Sequence, residues 1–153
     1  MKREGRSIFG SFRDAFRGLF FVIKRERNFR IHICMAAYVI YFSIVAALPI
    51  ESVSVFLICF GLVFSLELIN TAIEKLCDVV TEERDDRIKV IKDVSAAAVL
   101  VSAVFAAAAG LFVFLSPPVF KKIISEYISA PWLLVAFPGS IPLAVWFIAK
   151  RSK

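Results

Sequence analysis

The stretch Glu67-Leu68-Ile69-Asn70-Thr71-Ala72-Ile73-Glu74-Lys75-Leu76-Cys77-Asp78 places polar groups inside and just beyond an apolar run, at offsets of 3, 4 and 4 residues. At 100° per residue, these offsets put Glu67, Asn70, Glu74 and Asp78 on one face of one helix. The run they emerge from, residues 53–73, has the roughly 20 apolar residues needed to cross a bilayer. Glu67 then lies about a turn and a half inside the hydrocarbon, with Glu74 and Asp78 reaching its surface. Ionisable groups at membrane depth are costly and mark functional sites by default. The plainer alternatives are a buried carboxyl bonded to a neighbouring helix for Glu67, and a water-facing carboxylate for Asp78. An acidic stripe graded from water into lipid suits a reaction between a soluble and a lipid-borne substrate.

The rest of the chain agrees with a membrane setting. Of its 153 residues, 59% are hydrophobic and 21% charged, and the mean hydropathy is +0.79. That exceeds the apolar share of ordinary water-soluble domains and excludes a disordered tail. Residues 31–50 form another run of spanning length, carrying only His32 near its start, and residues 94–115 form a third. A weaker stretch, residues 132–149, is interrupted by Pro138, Gly139 and Pro142 and reads as a kinked or re-entrant segment. The first run follows a basic segment with no small-residue cleavage site, so it does not read as a signal peptide. Cys34, Cys59 and Cys77 share no close spacing and read as buried thiols.

Charge sets the expected orientation. Residues 1–30 hold nine of the 19 Lys and Arg and residues 75–93 hold five, whereas residues 49–52 hold none. The positive-inside rule then puts the N-terminus and the 75–93 loop in the cytoplasm. A fourth crossing returns the basic end, Lys150-Arg151-Ser152-Lys153, to that side and leaves Lys121 and Lys122 outside. Ile8, Phe9, Phe12, Phe16, Leu19, Phe20 and Ile23 recur at helical spacing among Arg6, Arg13, Arg17 and Lys24. That pattern predicts a helix lying in the interface plane against anionic lipid headgroups.

Two more polar clusters stand at the same boundary, Glu26-Arg27-Asn28-Phe29-Arg30-Ile31-His32 and Lys92-Asp93. The small residues Ser95, Ala96, Ala97, Ala98 and Ser102 allow the third span to pack closely enough to bring the clusters together. Glu74 and Asp78 are like-charge neighbours at i,i+4. A shared divalent cation relieves that repulsion, and Mg²⁺ accepts one or two carboxylates completed by waters and phosphates. Lys92 reads either as a snorkelling anchor or as a phosphate contact. No Gly-rich phosphate loop, protein-kinase motif set or nucleophile triad is present. The basic segment has no nucleic-acid-binding pattern, and lipid headgroups suit it better than DNA or RNA.

The twelve-residue acidic motif closely resembles the signature of the bacterial integral-membrane lipid kinases, the prokaryotic diacylglycerol kinase and undecaprenol kinase family. Glu26 to His32 and Lys92-Asp93 fall where that family carries its other polar motifs, and the resemblance covers residues 7–116. It implies an all-α integral membrane protein of the bacterial inner membrane. It also implies a homotrimer of three-span subunits with shared sites, and phosphoryl transfer from MgATP to the primary hydroxyl of a membrane lipid.

Position by position, the resemblance makes Glu67 the catalytic base and Asn70 a positioning residue at the reacting centre. Glu26 and Glu74 become the Mg²⁺ and nucleotide carboxylates. Asp78, Glu83, Lys92 and Asp93 become nucleotide contacts, and Arg30 and His32 join Glu67 at the lipid. The segment Glu-Arg-Asn-x-Arg-Ile-His resembles the undecaprenol branch more than the diacylglycerol branch. Two departures stand out: Arg84-Asp85 follows Glu83 where the family has Tyr-His, and Ala96-Ala97-Ala98 replaces a usual Gly.

The expected organisation is therefore a basic interfacial segment over residues 1–30, a three-span core over 31–116, and an extension over 117–153 with a possible extra hydrophobic helix. A different class, a small proton or ion transporter relaying through Glu67 and Glu74, lacks any ionisable residue in the outer halves of spans two and three. A structural assembly partner with the Ala-rich third span as interface leaves the acidic stripe without a reason.

Overall fold

A computed structural model describes residues 7–81 and 85–150. Its elements are α1 (Ile8–Arg25), α2 (Arg27–Val45), α3 (Ile50–Val80), α4 (Asp86–Phe114), α5 (Pro117–Ser129) and α6 (Leu133–Ala149). The described residues contain no strand, so the chain is an all-α, multi-pass membrane protein. By length and apolar character α2, α3 and α4 can each cross a membrane, and α5 with α6 form a bent pair.

The amphipathic pattern at the N-terminus becomes α1, which leaves Phe9, Phe12, Phe16 and Phe20 exposed while Val22 is buried. Glu26 separates α1 from α2 in an extended conformation (φ −97°, ψ 115°), serving as the last cap of one helix and the first of the next. The turn from α2 to α3 closes as a Schellman motif. Leu48 N–H donates to Ser43 O at 2.9 Å and Ala47 N–H to Ile44 O at 3.0 Å. Its left-handed position, usually Gly, is Ala47 with φ 44°.

Helices α3 and α4 extend well past the apolar runs, as their polar ends project beyond the membrane-spanning lengths. They are also the most extensively packed pair. Ser95, Val99 and Ser102 of α4 are buried at i, i+4, i+7 against a face of α3 that buries Val63, Glu67, Asn70 and Thr71. Small side chains at that seam let two backbones approach, the main packing device where lipid removes the hydrophobic drive between helices. Phe29 of α2, fully buried, meets Phe64 of α3 at 5.4 Å between ring centroids.

The extension differs from its expected break. The chain turns not at Pro138 or Pro142 but at Ala130, and α5 and α6 meet at 102°. Ala130 precedes Pro131, and its extended φ (−126°) is the region a residue before proline favours. Helix α6 runs through both prolines. Inside it the Ser140 hydroxyl lies 2.6 Å from Phe137 O and 3.3 Å from the Tyr38 hydroxyl of α2, and packing on a neighbouring helix is one way membrane helices tolerate proline. α6 lies antiparallel to α2: Phe137 packs on Tyr38, Tyr41 and Phe42, and Ile148 reaches Arg30. The end of α6 therefore returns to the end at which α1 joins α2.

Candidate functional site

At the end of the bundle carrying Glu26 and Lys92, α2, α3 and α4 enclose a cleft of about 220 Å³. Asn28 and His32 line it from α2, Glu67, Asn70 and Glu74 from α3, and Ala96, Val99 and Ala103 from α4. Three of the four residues of the acidic stripe thus open onto one cavity. Glu67 is only 3% exposed and Asn70 8%. Glu26 is half-buried at the helix junction, and it and Glu74 lie within electrostatic range of Glu67.

Hydrogen bonds fix the stripe across the α3–α4 seam. Asn70 Nδ2 donates to Glu74 Oε1 at 3.0 Å. Ser95 Oγ of α4 lies 2.6 Å from Asn70 Oδ1 and 2.9 Å from Lys92 O, and donates its single proton to one at a time. The Asn70 amide is therefore held at both ends, oxygen toward α4 and nitrogen toward Glu74. Within α3 the Thr71 hydroxyl donates to Glu67 O at 3.0 Å, keeping its polar group off the lipid.

The remaining predicted residues divide. Asp78 sits on the stripe but outside the cleft. Lys92 Nζ donates to its Oδ1 at 2.6 Å, and Lys75 Nζ lies 3.6 Å from its Oδ2. Two lysines thus flank the Asp78 carboxylate, next to Glu74 on the same stripe. Asp93 is exposed and does not line the cleft. Glu83 and the Arg84 beside it lie outside the described residues.

Arg30 is not brought to the cleft lining. Its guanidinium donates to Ile23 O (3.1 Å) and Lys24 O (2.9 Å) at the end of α1, and to Ile148 O (3.2 and 3.3 Å) at the end of α6. The physical reason is the pair of helix C-termini that meet there, whose unsatisfied carbonyls carry partial negative charge. Sequence reading missed Ser95 as a site residue, having counted it among the small packing positions. Its i+3 spacing from Lys92 was the only available signal. Asn28 lines the cleft too, an uncharged member of the Glu26 to His32 motif whose charged neighbours carry the stronger sequence signal.

A second cleft, about 230 Å³ and lined by Ile31, Met35, Val39, Phe60 and Phe64 among others, shares His32 and Ala103 with the first. A polar and an apolar compartment thus meet at His32. A further cavity, about 440 Å³ between α2, α5 and α6, is lined almost wholly by apolar side chains and lies away from the stripe.

Residues 13–114 match the family described as prokaryotic diacylglycerol kinase. The chain belongs to the prokaryotic diacylglycerol kinase family. It is an ATP-dependent lipid kinase. It is 37% identical over 114 residues to the undecaprenol kinase of Bacillus subtilis (strain 168), covering 74% of this chain and 93% of that protein. It is 36% identical over 108 residues to the diacylglycerol kinase of Synechocystis sp. (strain PCC 6803), covering 70% of this chain and 62% of that protein. No solved structure matches the kinase. Helix α4 ends with the matched region, so α5 and α6 are additions to the family core.

The oxygen donors of the kinase suit a hard cation. Among the described residues, no group of three or more His, Cys, Asp or Glu forms a metal cage. Mg²⁺ is usually held by one or two carboxylates with waters and substrate phosphates. Glu74, whose Oε1 is held by Asn70, and Glu26 at the helix junction are the carboxylates that would hold it.

Proposed function

We propose that the kinase transfers the γ-phosphoryl group of MgATP to the primary hydroxyl of undecaprenol, giving undecaprenyl phosphate and ADP. The observation that carries this reading is the cleft in which Glu67, Asn70 and Glu74 meet at the junction with an apolar compartment. Glu67, the deepest carboxylate, accepts the proton of the lipid hydroxyl as its oxygen attacks the γ-phosphorus. Asn70 positions Glu74 and the reacting groups. Glu26 and Glu74 would hold Mg²⁺, which would supply neutralisation of phosphate charge. Lys92, Asp78, Glu83 and Asp93 contact the nucleotide, and His32 stands where the lipid head meets its chain. Phosphoryl transfer asks a protein mainly for positioning and charge neutralisation, which this set supplies.

Undecaprenol is favoured over diacylglycerol by the Glu26 to His32 motif and by the fuller coverage of the undecaprenol kinase relative. The basic residues of α1, the α1–α2 junction and the start of α4 support a cytoplasmic placement of the site end in the bacterial inner membrane, near anionic headgroups. The uncovered Ala-rich face of α4 supports a homotrimer whose subunits share sites, and exposed Asp93 is then available to a neighbour.

The test is label transfer from γ-labelled MgATP in mixed micelles, with undecaprenol and diacylglycerol offered separately and together. Labelled undecaprenyl phosphate as the dominant product supports the reading. Dominant phosphatidic acid overturns the choice of lipid. Glu67→Gln is expected to lower turnover by about 10²–10⁴-fold, the usual contribution of a general base. Undiminished turnover overturns the role given to Glu67.

A further inference from the structure

We propose that the seam between α1, α2 and the added helix α6 is a binding site for the headgroup phosphate of an anionic phospholipid, separate from the catalytic cleft. A pocket of about 260 Å³ opens there, lined by Ile23, Lys24, Arg30, Trp146, Phe147 and Lys150. Three of these six residues are cations and none is a carboxylate. Phosphate is the ligand chemistry that such a lining recognises.

The arrangement is built, not a loose surface cluster. Arg30, 6% exposed, is tied by its guanidinium to carbonyls of α1 and α6, which joins the two helix ends into one wall. It also offsets the partial negative charge that two helix C-termini bring to the pocket. Lys24 and Lys150 then stand at the rim as the cations left for a ligand. Lys150 Nζ sits 4.9 Å over the Trp146 ring, which holds it at the pocket while its charge stays accessible.

The surroundings identify the source of the phosphate. Trp146 of α6 is 61% exposed, and Phe16 and Phe20 are exposed on α1, the helix that carries Ile23 and Lys24. Exposed aromatic side chains beside a spanning helix mark the headgroup level of a bilayer. Ile23 and Phe147 give the pocket an apolar floor where acyl chains can begin. A soluble phosphate would use none of that apolar surface. Because α6 lies outside the family core, the site is a property of this extended chain.

The test measures retention of phosphatidylglycerol against phosphatidylcholine of the same acyl chains by the full-length protein, using native mass spectrometry and thermal melting in mixed micelles. The Lys24→Gln/Lys150→Gln variant is expected to bind phosphatidylglycerol roughly 30-fold more weakly, the loss of two membrane-surface cations. Lys24→Arg/Lys150→Arg is expected to bind like the parent. Arg13→Gln/Arg17→Gln removes the same charge from α1 away from the pocket and is expected to retain binding. Equal losses in the two glutamine variants would mean diffuse attraction and overturn the site. Unchanged binding in Lys24→Gln/Lys150→Gln overturns it as well. Competition by inorganic phosphate at concentrations matching the lipid overturns the lipid as its source. Lipid-kinase turnover with a fixed substrate reads the catalytic assignment separately, since neither lysine lines the cleft.

Discussion

The Ser95 hydroxyl of α4 lies 2.6 Å from Asn70 Oδ1 of α3, inside the seam that joins the two most closely packed helices. This contact sets which end of the Asn70 amide faces Glu74, because the oxygen is engaged by a donor and only the nitrogen can reach the carboxylate. Helix packing and the placement of a proposed Mg²⁺ carboxylate are thereby the same interaction.

Ser95→Ala is expected to lower kcat about tenfold. It leaves the buried Asn70 oxygen without its donor, a loss of about 1–3 kcal/mol, and lets the amide turn away from Glu74. Steady-state kinetics with varied ATP and lipid check this. A positioning role predicts a fall in kcat, whereas a pure packing role predicts a lower melting temperature with kcat unchanged.

The Asp78–Lys92 pair is open to solvent on both sides, and exposed pairs of this kind contribute little to stability. Asp78→Asn should therefore shift the melting temperature little but raise the KM for ATP, since Lys92 loses the carboxylate that aims it. The Asp78→Lys/Lys92→Asp exchange should keep the melting temperature near the parent's while the KM for ATP stays raised. A parental KM in the exchange variant would show the pair to be structural only.

Arg30→Lys keeps the charge but loses the planar fork that bonds carbonyls of two helices at once. The end of α6 should loosen first. Limited proteolysis is expected to cut the C-terminal extension faster, with the α3–α4 seam still protected in hydrogen exchange.

Ala47 occupies a left-handed position with φ 44°, a conformation that costs a non-glycine residue roughly 1–2 kcal/mol. Ala47→Gly should raise the melting temperature or leave it unchanged, despite the extra freedom of Gly in the unfolded chain. A clear fall in thermal melting would contradict the strain assigned here.

The Asp85 carboxylate caps α4, accepting from Arg87 N–H at 2.8 Å and from the Arg87 side chain. Its side-chain bond to Arg87 first, and the backbone bond second, hold it below its ordinary 3.8. A depressed carboxyl stabilises the folded state above its unfolded value, and the stabilisation fades as pH falls through the folded one. Protection of the first-turn amides of α4 should therefore drop as the pH is lowered from about 5 toward 2. Asp85→Asn keeps a capping oxygen and should remove that pH dependence.

The sequence alone was enough to read the membrane class, the amphipathic α1 and the single acidic face of α3. Each depends on local periodicity: hydrophobic length, helical spacing of Phe residues, and offsets of 3 and 4 between polar groups. The family, too, was legible in the twelve residues from Glu67 to Asp78. Only the tertiary structure decided how those residues are used. Asp78 turns to Lys92, fourteen positions away, and Arg30 turns to Ile148, 118 positions away. Ser95 becomes a partner of Asn70 across two helices. No local pattern encodes such pairings, because they depend on which helix ends and faces the packing brings within hydrogen-bonding reach. The path of residues 117–150 was decided the same way. Helix α6 continues through its prolines while packed on α2, whereas the chain turns at Ala130, the residue before Pro131, which favours extended backbone.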